Sequence, residues 1–193
     1  MTDTPPRVRA GDWMQTFSGR RFWPAEPEPR DVAIEDIAHA LSNACRYGGH
    51  CLRFYSVAQH SVLVSNLVPD ELSLHGLLHD AAEAYLGDMI SPLRRTLRDS
   101  SPMYEALHSR VDMAISRRFG LRPLTPAQAA ALKHADLVAL ATERRDLMRP
   151  TGDEWPVLDG IVADDEEIVA WSPGGSEAVF LDTFEGLTRG GVR

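Results

Sequence analysis

The stretch Leu77-Leu78-His79-Asp80-Ala81-Ala82-Glu83-Ala84-Tyr85-Leu86-Gly87-Asp88 places an imidazole and several carboxylates inside an apolar run. On an α-helix, residues three and four apart share a face. Glu83 is three after Asp80 and four after His79, so the spacing predicts one helix face bearing His79, Asp80 and Glu83. Burying such groups is costly unless they are paired or hold a metal. No Lys or Arg stands near them in the sequence to neutralise them, so the pattern is a candidate metal site. Asp88 would face away if the helix ran on. Gly87 can end the helix in a left-handed conformation, and Pro92 fits a sharp stop beyond it. Asp88 could then swing back toward the mouth of the site.

The elements that position these residues read as helices. Apolar spacing predicts helices over about 33–46, 54–68, 70–86, 89–99, 103–119, 125–148 and 176–187. His60 lies three after Val57 and four before Val64, on the inward stripe of its helix. Taken alone, a histidine on such a stripe is most simply a satisfied core residue. Asp136 falls four after Leu132 and four before Leu140, also on a buried stripe, and a buried carboxylate needs a partner. Thr125-Pro126-Ala127-Gln128 starts that helix with a capping box and Pro at its first position. Glu143 and Arg144, further along it, read as structural. His75 is four before His79, but the stretch lacks the His-Glu-x-x-His pattern, so it reads as a core or supporting residue. His108 and Asp112 read as surface residues. Arg46-Tyr47-Gly48-Gly49-His50 breaks the first helix, and its glycines allow close backbone approach. Arg46 offers a planar donor fork suited to phosphate, and Tyr47 a face for a base or sugar. His50 is either a phosphate donor or a turn residue. The aromatic residues of 13–23 around Ser18-Gly19 predict a short hairpin, with Arg20 and Arg21 read as a surface pair.

With Glu83, Gly87-Asp88 and Ser91-Pro92-Leu93-Arg94 behind it, the His79-Asp80 pair resembles the HD-domain phosphohydrolase superfamily, whose pattern is His…His-Asp…Asp. It is most similar to the small 5′-deoxynucleotidase branch, with its His-Asp-x-x-Glu-x-x-x-Gly-Asp signature. The resemblance covers about residues 45–148. It implies an all-α helical bundle and one divalent ion held by His60, His79, Asp80 and Asp136. Mixed N/O ligation suits Mn²⁺, Co²⁺, Zn²⁺, Ni²⁺ or Mg²⁺. For Asp136 the alternative is a salt bridge to an arginine. The resemblance gives Glu83 the task of orienting water and moving its proton, and Asp88 a hydrogen bond to the sugar. An Arg-aromatic pair contacts the nucleotide in that branch. Arg46-Tyr47 matches it, with Tyr in place of Trp and a slightly shorter gap to His60. Arg94 sits where the branch carries a cation beyond Ser-Pro. Family members often carry Glu before the first histidine, where this chain has Gln59. The implied substrate is a small-molecule nucleotide. Hydrolysis of deoxynucleoside 5′-monophosphates is the leading expectation, with dNTP triphosphohydrolase as the alternative. A cyclic-nucleotide phosphodiesterase or a non-catalytic nucleotide-binding module is a lesser one. Members commonly self-associate, so a homo-oligomer is open, but no heptad or large apolar patch marks an interface.

The chain of 193 residues is long enough for one domain with a real core. The resemblance implies a single HD domain over 1–193, with an N-terminal extension over 1–30, an HD core over about 33–148, and a C-terminal extension over 150–193 with a final helix. A formal net charge of −8 argues against general affinity for nucleic-acid polymers. No run approaches a membrane span, and no apolar leader stands at the N-terminus. Cys45 and Cys51 suggest neither a disulfide framework nor a zinc knuckle. They read as reduced thiols of a cytoplasmic protein.

Overall fold

The computed structural model describes Arg9 and residues 11–189 apart from Ser101. Helix accounts for 61% of the described residues and strand for 3%, so the fold is all-α, as expected. No helix among the described residues is long and apolar enough to cross a membrane.

The chain opens with the expected hairpin, β1 (Met14–Gln15) and β2 (Arg21–Phe22), paired antiparallel with Met14 opposite Phe22. Arg20 donates to the Arg30 carbonyl, and Arg21 lies over the Trp13 ring. Helices α1 (Ile34–Asn43), α2 (Val57–Leu67), α3 (Ser73–Leu78), α4 (Glu83–Leu86), α5 (Ser91–Ser100), α6 (Met103–Phe119), α7 (Pro126–Leu147) and α8 (Pro173–Arg189) follow. The buried carboxylate of Asp36 on α1 ties down the hairpin turn, accepting from the Ser18 N–H at 2.6 Å and its hydroxyl at 2.9 Å. Phe22 stacks on Tyr85 with ring centroids 3.8 Å apart.

Helix α2 is the central element and packs against α1, α3, α7 and α8. Eight of its eleven residues are buried, and the small Ala58, Ser61 and Ser65 let its neighbours approach closely. At its N-terminus Ser56 accepts from the Gln59 N–H. The main core joins Ile37, Leu41, Val57, Leu77, Ile115 and Phe180, so α8 completes the bundle. A second cluster, Val64, Val68, Leu72, Ala135 and Ala139, seals α2 against α7. The Thr125–Gln128 capping box forms as expected.

The helices depart from expectation at 79–82 and at His108. The helix expected through 70–86 is interrupted: α3 stops at Leu78 and α4 begins at Glu83. Between them the backbone tightens into i→i+3 bonds, with Ala81 donating to Leu78, Glu83 to Asp80 and Tyr85 to Ala82. At three residues per turn Asp80 and Glu83 fall in line, whereas His79 and Glu83 do not. His108 is not a surface residue. It is buried, and its Nδ1 pairs with Asp112 at 2.8 Å.

Candidate metal centre

Three helices bring their side chains to one point. His60 from α2 and His79, just beyond the end of α3, face each other through their Nε2 atoms, 3.3 Å apart. Asp80 Oδ2 lies 3.2 Å from His79 Nε2 and 3.6 Å from His60 Nε2. Ligands held at about 2.1 Å from one ion stand roughly 3.0–3.4 Å apart in tetrahedral or octahedral arrangement. His60, His79 and Asp80 therefore form a group that could hold a metal ion. Asp136 of α7 stands on its flank, with Oδ1 3.3 Å from His60 Nε2 and 4.0 Å from His79 Nε2. Its other oxygen accepts from Lys133 at 2.7 Å, so its ion-pair partner is a lysine and not an arginine.

The remote nitrogen of each imidazole is committed. His79 Nδ1 donates to the Gly76 carbonyl at 2.7 Å. His60 Nδ1 pairs with Glu143 Oε1 at 2.6 Å, both side chains fully buried. Such bonds orient an imidazole and leave Nε2 directed at the centre, as around bound metals. Glu143 is the residue that sequence reasoning passed over as structural. Its signal was present: it lies seven residues after Asp136, about two turns along the same face of α7.

Arg46, in the turn that follows α1, also enters the cluster. Its Nε reaches Glu143 Oε2 at 3.1 Å and its Nη1 lies 3.6 Å from Asp80. The Tyr47 hydroxyl donates to the same Glu143 oxygen at 2.5 Å. Burial opposes ionisation of Glu143, yet Arg46 and His60 hold its carboxyl below the usual range. Asp80 is likewise held well below, by His79, His60 and Arg46 against burial. Asp136 follows, held down chiefly by His60. Burial and Arg46 work against a charge on His60, but Glu143 and Asp136 outweigh them and raise it to about 9.

Glu83 behaves oppositely. Burial first, then the charges of Asp80 and Asp88, push its carboxyl up to about 10. Its buried Oε2 has no hydrogen-bond partner among the described residues. Asp88 is raised by burial and by Asp80. Gly87 does end the helix, its N–H bonding Glu83 at 2.8 Å, but not in the left-handed helical conformation. Its φ of +82° and ψ of 148° belong to a region essentially reserved for glycine.

The chain is 42% identical to the uncharacterised protein YfdR of Escherichia coli (strain K12) over 177 residues, which span 91% of this chain and 96% of that one. The chain belongs to the YfdR family. A second relative, the uncharacterised protein RCAP_rcc00048 of Rhodobacter capsulatus, is 38% identical over 145 residues, spanning 70% of this chain and 72% of that one. No protein-family model matches the sequence.

Of the residues singled out from sequence, this YfdR-family chain gathers His60, His79, Asp80, Asp136 and Arg46 by direct contact. Tyr47 joins through Glu143. Glu83 and Asp88 couple to Asp80 electrostatically. Arg94 is held by Glu105, at 2.8 and 3.0 Å. His50 is exposed, and no hydrogen bond or ion pair ties its ring to the cluster. His75 bonds the Arg122 carbonyl and stays outside it. Gln59 points elsewhere: its amide bonds Val169 and Trp171, binding the segment before α8 to α2.

Proposed function

We propose that this protein is a metal-dependent nucleotide phosphohydrolase that cleaves the phosphomonoester of deoxynucleoside 5′-monophosphates. The observation that carries the reading is the pair of Nε2 atoms 3.3 Å apart beside Asp80, each imidazole fixed from behind. The HD-type pattern of His60, His79-Asp80 and Asp136 supports it. His60, His79, Asp80 and Asp136 would hold the ion. A divalent cation such as Mn²⁺, Co²⁺, Zn²⁺, Ni²⁺ or Mg²⁺ supplies charge that polarises a phosphoryl group and acidifies water. The donor set fits: an excess of carboxylates surrounds the two imidazoles, and the Glu83 Oε2 has no hydrogen-bond partner among the described residues.

The chain's own groups do the rest. Glu83 takes the proton of the attacking water at its unpartnered oxygen. It carries that proton already at neutral pH in the metal-free protein, and positive charge in the site favours its carboxylate. Arg46 holds the outer edge of the site while anchored on Glu143. Asp88, set by the Gly87 turn, accepts from a sugar hydroxyl. The arginines that a longer phosphate chain would call on are engaged: Arg94 by Glu105, Arg20 by a carbonyl, Arg21 by Trp13. That favours a monophosphate over a triphosphate.

The test is turnover of dNMP, NMP and dNTP by purified protein with each metal. Free phosphate from dNMP, with a deoxyribose preference that weakens in Asp88→Asn, is expected. Tripolyphosphate from dNTP, or no turnover with any metal, would overturn the reading.

A further inference from the structure

Cys45 and Cys51 stand on either side of the Arg46–His50 loop with their Sγ atoms 3.7 Å apart. Both are free thiols and both are half-buried. The backbone builds this meeting. Tyr47, Gly48 and Gly49 take φ of +59°, +59° and +83°, which folds the chain back on itself. Such a φ is costly for a residue with a side chain and persists only where the surroundings enforce it. Each end of the loop is tethered to a different helix. Cys45 forms a β-bridge with Ser56, with the Arg46 N–H on the Tyr55 carbonyl at 2.9 Å and the Val57 N–H on the Ala44 carbonyl at 3.0 Å. Next to Cys51, the Leu52 N–H bonds the Leu147 carbonyl at the end of α7, at 2.8 Å. The two sulfurs are thus held in contact from both sides.

We propose that Cys45 and Cys51 form a reversible intramolecular disulfide that clamps the loop carrying Arg46 and Tyr47. A disulfide bond is about 2.05 Å long, so the sulfurs need close by only about 1.6 Å. The oxidant is a low-molecular-weight disulfide such as oxidised glutathione. One cysteine thiolate attacks it, forming a mixed disulfide and expelling one small thiolate. The second cysteine thiolate attacks the protein sulfur of that mixed disulfide and expels the other. Two electrons leave the cysteines and reduce one small disulfide to two thiols, which take up the two cysteine protons. The closed ring encloses Arg46 and Tyr47, the two residues that brace Glu143.

The test equilibrates the full chain in glutathione buffers of graded ratio, with alkylation and intact mass as the readout. Two alkylated thiols are expected under reducing conditions. Under oxidising conditions none are expected, with a monomer lighter by two hydrogens and a linked Cys45–Cys51 peptide. Cys51→Ser and Cys45→Ser should each stop at a single glutathione adduct. Hydrogen exchange of the amides over 47–50 should slow in the linked form. Two free thiols in excess oxidised glutathione, a doubly glutathionylated chain, a linked dimer, or unchanged exchange in the linked form would each overturn the proposal.

Discussion

His60 and Glu143 meet at 2.6 Å although 83 positions separate them, and neither side chain is exposed. One helix supplies the imidazole and another the carboxylate that orients it. The same carboxylate also neutralises Arg46. Glu143→Gln is expected to weaken divalent metal binding by about 10–100-fold, measured by calorimetry. Glu143→Ala leaves Arg46 only its longer approach to Asp80 and His60 Nδ1 without its acceptor, and should lower unfolding stability by up to about 3–5 kcal/mol in urea. Unchanged metal affinity in Glu143→Gln would show that His60 needs no such brace.

Metal uptake should be coupled to a proton. Against burial and Arg46, Glu143 and Asp136 push the His60 imidazole up to about 9 in the metal-free protein, above its unfolded value, so Nε2 carries a proton at neutral pH. Ligation requires that nitrogen free. Affinity should therefore rise with pH up to about 9, with proton release seen as a buffer-dependent binding enthalpy. The metal-free fold follows the opposite sign. His60 contributes stability fully below its unfolded pKa of about 6.5, and that contribution is lost as pH rises through about 9. A metal affinity independent of pH between 6.5 and 9 would contradict the coupling.

Gly76 controls the distance between the two histidines. A Cβ there would lie 2.8 Å from Ser65 Cα and 3.0 Å from Ser65 N, both backbone atoms of α2. Its carbonyl also holds His79 Nδ1. Gly76→Ala gains about 1 kcal/mol of helix propensity, but the overlap with immovable backbone pushes α3 away. A net loss of about 1–3 kcal/mol is expected from such overpacking, with weakened metal binding. A more stable variant with normal metal affinity would refute this account of the packing.

Glu83→Gln separates metal binding from chemistry. It keeps the shape of the residue and removes the proton acceptor. Turnover of the preferred nucleotide should fall by about 10²–10⁴-fold, with metal content by mass spectrometry unchanged. Equal turnover would remove Glu83 from the proposed chemistry.

Local order was legible in the residues themselves. The spacing of Val57, His60 and Val64 aims His60 inward, and Leu132, Asp136 and Leu140 do the same for Asp136, because helical periodicity acts within a few residues. The Thr125–Gln128 box and the Ser18-Gly19 hairpin are equally short-range. Tertiary structure decided the rest. That Arg46 would sit 3.6 Å from Asp80, that Glu143 would brace His60, and that Cys45 would touch Cys51 depend on how separate segments pack. The tightened turn between Leu78 and Glu83 also lies beyond periodicity, since the same residues suit an unbroken helix. A sequence pattern states which face a side chain takes. Only the packing of α2 against α3 and α7 determines which partner that face meets.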